Sequence, residues 1–185
     1  MATRSSTGTG AAAALVAAAP VLSWRGPVWR CHDGRFPADS WEGSRYYSGR
    51  FHRAPDLFPN QRTWTALNMC LGPEVSLGEA IRYQAPHMRR IADPRLSELA
   101  IGLASVLDLH DPASQGIDVD ALLDDWDRTL GQEIGEAALD RGVEGVLVPS
   151  ASRLGDNLIM FPVNLVPTSS VSVVSHRSLY HVLRY

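Results

Sequence analysis

Gly145-Val146-Leu147-Val148-Pro149-Ser150-Ala151 is an apolar run of strand length that ends at a proline and a serine. A serine in this place lies where the chain leaves a sheet, which is a common position for a functional side chain. A segment with helical spacing precedes the run, and two more apolar strand candidates follow it at Leu158 to Phe161 and Val171 to Val174. Strands that flank two helices and end in a run of strands predict a mixed α+β domain, with a sheet core and flanking helices.

Two helices are predicted from spacing and end signals. Residues 119–140 carry apolar side chains at near-helical intervals, Asp118 can cap the start, and Gly142 can close the end. The acidic residues 124, 125 and 127 within it are interpreted as a solvated helix face. Residues 76–83 begin with Ser76 and Glu79 in capping-box spacing, behind the helix breaker Pro73, and Pro86 is expected to end this helix.

Three further strands are predicted upstream, at residues 28–31, 63–67 and 96–109. Residues 32–49 form a polar, glycine-containing loop with the aromatic residues Trp41, Tyr46 and Tyr47, which either stack on a flat ligand ring or cover the core. Residues 1–26 are rich in Ala, Ser, Thr and Gly, which favours a disordered or loosely helical tail over a signal peptide with the single charge of Arg4. The folded domain is therefore predicted at 27–185.

Composition excludes several classes of protein. The chain has 185 residues, 45% of them hydrophobic, and a formal net charge of -3, which disfavours direct nucleic-acid binding. It contains no lysine, so phosphate-binding loops and Schiff-base chemistry that need one are excluded. The two cysteines and the scattered histidines have no metal-ligand spacing and indicate reduced thiols in a cytoplasmic protein. No apolar run is long enough to cross a membrane.

Three polar residues in separate segments are candidates for chemistry: Arg50 in Ser48-Gly49-Arg50-Phe51, Glu79 in Ser76-Leu77-Gly78-Glu79-Ala80, and Ser150. Each has a structural alternative, because Arg50 can be solvated, Glu79 can close its capping box, and Ser150 can cap a turn. The sequence around Ser150 lacks the Gly-x-Ser-x-Gly motif, which weakens a serine-hydrolase interpretation without removing it.

Taken in order, these segments resemble the motifs of the RES-domain family. Ser48-Gly49-Arg50-Phe51 is similar to its Gly-Gly-Arg-Trp motif, the Glu79 segment to its glutamate helix, Val106-Leu107-Asp108-Leu109 to its Leu-Asp-Leu strand, and residues 145–151 with Asn157 and Pro162 to its serine strand and turn. The resemblance extends over about residues 27–185. It implies an ADP-ribosyltransferase-like fold and NAD as the substrate, with no metal expected. Arg50, Glu79 and Ser150 carry over as NAD-site residues. Trp64 stands near the place of a family tyrosine, where its ring can stack on nicotinamide.

The resemblance also implies a bacterial toxin of a toxin–antitoxin module, neutralised by a partner with an Xre-type DNA-binding part, and it suggests a homodimer. We expect cleavage of the nicotinamide–ribose bond by hydrolysis or phosphorolysis. The alternatives are transfer of ADP-ribose to a protein, or an inactive NAD-binding interaction module. Glu79 is expected to stabilise positive charge on the ribose, and Arg50 to hold the diphosphate or ribose. Ser150 and Asn157 complete the predicted NAD site with Arg30, Tyr47 and Trp64.

Overall fold

The computed structural model describes residues 7–84 and 92–179 and confirms a mixed α+β architecture within them. The helices are α1 Thr7–Ala18, α2 Pro73–Gln84, α3 Val119–Leu122 and α4 Thr129–Asp140. The strands are β1 Val21–Asp33, β2 Leu67–Cys70, β3 Pro94–Asp108, β4 Gly145–Pro149, β5 Asp156–Met160 and β6 Ser170–Ser178.

The central sheet has the order β1-β2-β5-β4-β3-β6, and β1 also pairs with β3. The first five strands therefore close into a ring, and β6 is added to β3 outside it. The β3–β4 pair is parallel, whereas the other pairs are antiparallel. Since β4 and β5 are adjacent and antiparallel, the short connection between them carries Ser150 close to the start of β5 at one end of the ring.

Strand β4 is buried on both faces, which explains its continuous apolar run. Val146 and Val148 join one apolar cluster with residues of α1 and α4, whereas Leu147 joins the cluster on the other face. Side chains of a strand alternate between its faces, so neighbours in sequence enter different cores. Helices therefore cover one face of the sheet at β4, and strands of the ring enclose the other.

Within residues 1–26, predicted as a disordered or loosely helical tail, the structure has a packed helix over Thr7–Ala18 and the start of a strand at Val21. Helix α1 packs against α4 with Ala12, Val16 and Ala19 buried, and the Arg141 guanidinium donates hydrogen bonds to the carbonyls of Val16 and Ala19. Strand β1 then begins at Val21, not near residue 27. The low hydrophobicity of alanine suggested a tail, but its small side chain lets two helices approach closely. Residues 1–6 lie outside the described ranges.

The single helix predicted for residues 119–140 is interrupted. The Asp118 side chain caps α3 by accepting from two backbone N–H groups, and Gly142 closes the α4 end at φ 76°, as expected. Between the two helices, the Asp124 carboxylate accepts from the N–H groups of Trp126 and Asp127. Such local side-chain bonds compete with helical ones and end the helix. The acidic residues 124, 125 and 127 therefore lie in a connection and do not form a helix face.

Helix α2 starts three residues earlier than predicted, at Pro73, so the capping box is wrong. Proline suits the first helical position because its missing N–H would have no helical partner there. Ser76 is inside the helix, where its hydroxyl accepts from the N–H of Cys31 at 2.9 Å. Pro86, the expected helix end, lies outside the described residues.

The other strand predictions are confirmed in place, with two exceptions. The strand predicted at 63–67 begins only at Leu67, so Trp64 precedes it, and the strand predicted at 28–31 is the end of the much longer β1. No helix among residues 7–84 and 92–179 combines the length and the apolarity needed to cross a bilayer.

Candidate active site

Glu79, on α2, is the centre of a hydrogen-bond network that joins it to β4 and β5. Its Oε1 accepts from the Ser150 hydroxyl, from the N–H of Ala151 at 2.9 Å and from the Asn157 amide at 3.0 Å. Within the described ranges, Oε2 has no hydrogen bond, and the residue is only half-buried. The network therefore fixes the carboxylate through one oxygen and leaves the other without a hydrogen bond from the described residues.

Ser150 is fully buried and has a defined polarity in this network. Its hydroxyl donates to Glu79 and lies 2.7 Å from the Ser152 hydroxyl, which is then the donor of that pair. Its own N–H donates to the Gly155 carbonyl at 2.8 Å, which closes the turn. No histidine in the described part of the chain bonds to Ser150, so the base that a serine hydrolase needs is not beside it. The arrangement makes Ser150 a positioning group for Glu79.

Gly78 allows this close approach of α2 to the Ser150 turn. A Cβ atom at position 78 would lie 2.9 Å from Cβ of Ser152 and from Cδ1 of Leu154, which is shorter than ordinary contact. Glycine at position 78 therefore allows α2 to pack against the turn that carries Ser150.

Arg50 is buried against the connection between α3 and α4. Only 9% of its side chain is exposed, and Nη2 donates to the carbonyls of Leu123 and Asp124 and to Oδ1 of Asp125 at 3.0 Å. Burial lowers the pKa of Arg50, and the charges of Glu79 and Asp125 oppose that shift. Glu79 is therefore close enough to Arg50 for its negative charge to act on the guanidinium group.

Helix α4 packs closely against the backbone of residues 50 and 51. A Cβ at Gly131 would lie 2.6 Å from the Arg50 carbonyl oxygen, and one at Gly135 would collide with the Phe51 carbonyl. Residues four apart lie on the same face of a helix, so the two glycines form a groove for residues 50 and 51. Because the backbone at residues 50 and 51 packs against α4, the direction in which the Arg50 side chain leaves the backbone is fixed.

The hydrogen bonds of the Trp64 and Arg30 side chains lead to residues other than Arg50, Glu79 and Ser150, and their membership of the NAD site stays a prediction. Trp64 is 5% exposed in the core, and its indole N–H donates to the Phe51 carbonyl at 3.0 Å, while the Arg53 guanidinium lies over the ring. Arg30 donates to the carbonyls of residues 38 and 40, and burial lowers its pKa to about 10. Both residues therefore brace loops. Their types suggested ligand binding, but the contacts that bury them are not visible in sequence.

Tyr47 remains a candidate from its position. It is 78% exposed, two residues before Gly49, in the loop that leads to Arg50. Its backbone carbonyl contacts the buried ring of His52, so the loop is anchored beneath it. The prediction that this ring stacks on a ligand stays a prediction.

Three polar residues near the site were not singled out from sequence. Asp125 and Arg82 form an ion pair at 2.9 Å, and Asp125 also bonds to Arg50. Arg82 follows Glu79 by three residues, a spacing that places both on one helix face and could have indicated it. Ser152, two residues after Ser150, completes the group. The sequence does not indicate Asp125 as a site residue, because the acidic residues around it predict a solvated helix face.

Other chemistry at this place has little support. Burial, assisted by the charge of Glu79, raises the pKa of Cys70 to about 12, so its thiol is protonated at neutral pH and a poor nucleophile. In residues 7–84 and 92–179, no group of three or more His, Cys, Asp or Glu side chains is placed to hold a metal ion. The polar side-chain groups described at this place are thus a carboxylate, a guanidinium and hydroxyls.

Comparison with known proteins adds a family and a fold. The family model described as "RES domain" matches residues 27–181. A chain in the crystal structure of the M. tuberculosis MbcT–MbcA toxin–antitoxin complex is similar with a TM-score of 0.73 and 23% sequence identity, over 94% of this chain and 96% of that chain. Among curated proteins, no match is found. The family match begins at residue 27, so α1 and the first half of β1 lie outside it.

Proposed function

This chain belongs to the RES-domain family, and we propose that it is an NAD-degrading toxin of a toxin–antitoxin module. Its reaction is cleavage of the bond between nicotinamide and ribose, carried out on an ADP-ribosyltransferase-like core. NAD is the substrate, and the site uses side chains alone. The observation that carries this proposal is the half-buried Glu79 carboxylate, fixed through Oε1 by Ser150, Ala151 and Asn157 while Oε2 accepts no hydrogen bond from the described residues.

The chemistry needs a carboxylate held in this way. Loss of nicotinamide develops positive charge on the ribose, in an oxocarbenium-like transition state. A carboxylate fixed beforehand stabilises that charge without reorganising during the reaction, and one such contact contributes about 3 kcal/mol. Glu79 takes this role, because three donors to one oxygen set its orientation. Ser150 and Asn157 act as positioning residues, and Arg50 supplies charge for the phosphates.

The acceptor of the ADP-ribose group is water or inorganic phosphate in this proposal. Ser150 is not the attacking group, because its proton is directed to Glu79 and its oxygen accepts from Ser152. A protein acceptor would make the chain an ADP-ribosyltransferase instead. Incubation of the purified protein with NAD, with and without phosphate and with a cell lysate, separates these products.

The decisive experiment compares two glutamate substitutions on the same helix. Glu79→Gln keeps the shape but removes the charge, so NAD consumption should fall by a factor of about 100 or more. Glu74→Gln, in the exposed first turn of α2, is the matched control and should retain activity. If the wild-type protein neither consumes NAD nor labels a protein with ADP-ribose under any of these conditions, the proposed function is wrong.

The proposed partner is an antitoxin protein with an Xre-type DNA-binding part, and the proposed compartment is the cytoplasm, where NAD is present. Support comes from the family and from the similar chain, whose structure is titled as a toxin–antitoxin complex. Expression of the chain alone should deplete cellular NAD and stop growth, and expression of the Glu79→Gln variant should do neither.

A further inference from the structure

We propose that Arg50 and Arg82 form a binding site for a phosphate-class anion, and that the Asp125 carboxylate occupies this site as an internal competitor. A ligand's phosphate groups must then displace Asp125 to bind. This inference deepens the proposed function and rests on it, with the diphosphate of NAD as the expected ligand and free phosphate as the other source of the same chemistry.

Asp125 bridges the two guanidinium groups. Its Oδ1 accepts from Nη2 of Arg50 at 3.0 Å, and its Oδ2 accepts from Nε and Nη2 of Arg82 at 3.1 and 2.9 Å. Each oxygen thus serves a different arginine, and the arginines come from different elements. Guanidinium groups bind carboxylate and phosphate oxygens with the same fork geometry. A group with more oxygens and more charge than a carboxylate can therefore replace Asp125 at both arginines.

This bridge lies beside the candidate catalytic carboxylate. Arg82 follows Glu79 by three residues on α2, so the two side chains leave the same helix face. The Arg50 guanidinium experiences the charges of Glu79, Asp125 and Arg82 together. In NAD the diphosphate is joined directly to the ribose that loses nicotinamide. A diphosphate held by Arg50 and Arg82 therefore suits a ribose placed at Glu79.

Asp125 lies on a segment outside the helices. It lies in the non-helical connection between α3 and α4, and 31% of its side chain is exposed. The next residue, Trp126, is 96% exposed and packs against almost nothing. Displacing Asp125 breaks three hydrogen bonds to arginines but leaves the apolar core of α4 in place. The position of Asp125 in this connection therefore suits a carboxylate that a ligand's phosphate groups displace from the two arginines.

Binding of pyrophosphate, ADP-ribose and inorganic phosphate to four proteins tests the site, by calorimetry with the whole chain. Asp125→Asn removes the competing charge, and binding of pyrophosphate and ADP-ribose should become about fivefold tighter, as expected for loss of a partly exposed ion pair. Arg82→Gln should weaken it about tenfold through loss of a charge-assisted contact. Asp140→Asn is the matched control, because it removes the same charge from the exposed Arg62–Asp140 pair, and it should bind as the wild type does.

Asp125→Asn that binds these ligands no tighter than wild type, or Arg82→Gln that binds them equally well, overturns the inference. Preference for the two diphosphates over inorganic phosphate assigns the site to the dinucleotide. Equal or tighter binding of inorganic phosphate assigns it to a free phosphate. Both results uphold a phosphate-class site, and binding of none of the three ligands overturns it.

A second measurement avoids dependence on how the Asp125 variant folds. Pyrophosphate added to the wild-type protein should lower the fluorescence anisotropy of Trp126, because release of Asp125 from the arginines frees the connection that carries both residues, and the change should be absent in Trp126→Phe. Binding of pyrophosphate without this change means that Asp125 is not displaced, which contradicts the inference. If NAD turnover is absent but both tests succeed, the proposed function fails and the anion site stands. If turnover is present but the tests fail, only the anion site is wrong.

Discussion

Replacement of Gly78 by alanine should reduce catalysis while leaving the fold intact. The new Cβ would lie 2.9 Å from Cβ of Ser152 and Cδ1 of Leu154, whereas ordinary contacts begin at 3.4 Å, so the turn must retreat by at least the difference, about 0.5 Å. Residues 153–155 at the tip of the turn are exposed, although Ser150 and Ala151 at its base are buried, so movement is easier in the turn than in α2. The turn carries the Ser150 hydroxyl and the Ala151 N–H, so its movement loosens two of the three bonds that fix Glu79.

The expected loss in kcat/KM for NAD is about tenfold to a hundredfold, because a misplacement near 1 Å can cost a factor of about 100. Stability should change little, since alanine improves helix propensity by about 1 kcal/mol and this offsets the new contact. Steady-state NAD consumption and a thermal unfolding curve measure the two effects. Gly10→Ala in α1 is the control, because a Cβ there meets nothing within 4 Å. Wild-type turnover in Gly78→Ala would refute the argument that the close approach of α2 to the turn positions Glu79.

Two further predictions concern buried polar groups outside the trio. Burial raises the pKa of Glu144, but hydrogen bonds from Ser169, Val166, Ser105 and Ala104 lower it more, so the pKa lies below its ordinary 4.5. Its charged form therefore stabilises the fold above about pH 4.5 and loses this effect as pH falls through the lowered pKa. Glu144→Gln should lower the free energy of unfolding by about 3 kcal/mol at pH 7 and by less at pH 3.5, as measured by urea unfolding; an equal loss at both pH values would contradict this. Trp64→Phe should lower that free energy by about 1 kcal/mol through loss of the bond to Phe51, with the KM for NAD unchanged. A large increase in KM would instead restore Trp64 to the ligand site.

The strands were the part of the fold that could be predicted. β3, β4 and β5 contain apolar runs whose side chains enter two cores, so periodicity and turn residues suffice to place them. The helix around Asp124 was mispredicted because local side-chain bonds to the backbone overrode helical spacing. The packing of helix α1 was not predicted, because its burial depends on α4, more than a hundred residues away in sequence. Intrinsic helix propensity is a weak guide where contacts with distant parts of the chain decide whether a segment is helical.

The candidate site was predictable as residue types but not as partnerships. Arg50, Glu79 and Ser150 stood out by motif, and the structure joins Glu79 to Ser150 and Asn157 directly. Trp64 was an equally reasonable candidate by residue type, because its aromatic ring could stack on nicotinamide. Its burial beneath Arg53 shows that an aromatic ring near a motif can be core packing.

The sequence by itself determined the α+β class, the strand-forming segments, the absence of lysine chemistry, and the arginine, glutamate and serine that mark the candidate site. Only the tertiary structure decided that Ser150 donates to Glu79, that Trp64 is core, and that Asp125 bridges Arg50 and Arg82. The physical reason is distance along the chain: Arg50 and Asp125 are 75 residues apart, and Glu79 and Ser150 are 71 apart. Local patterns record backbone preference and burial. Which charges meet depends on how the strands close into a ring and on where the helices and connections settle around it.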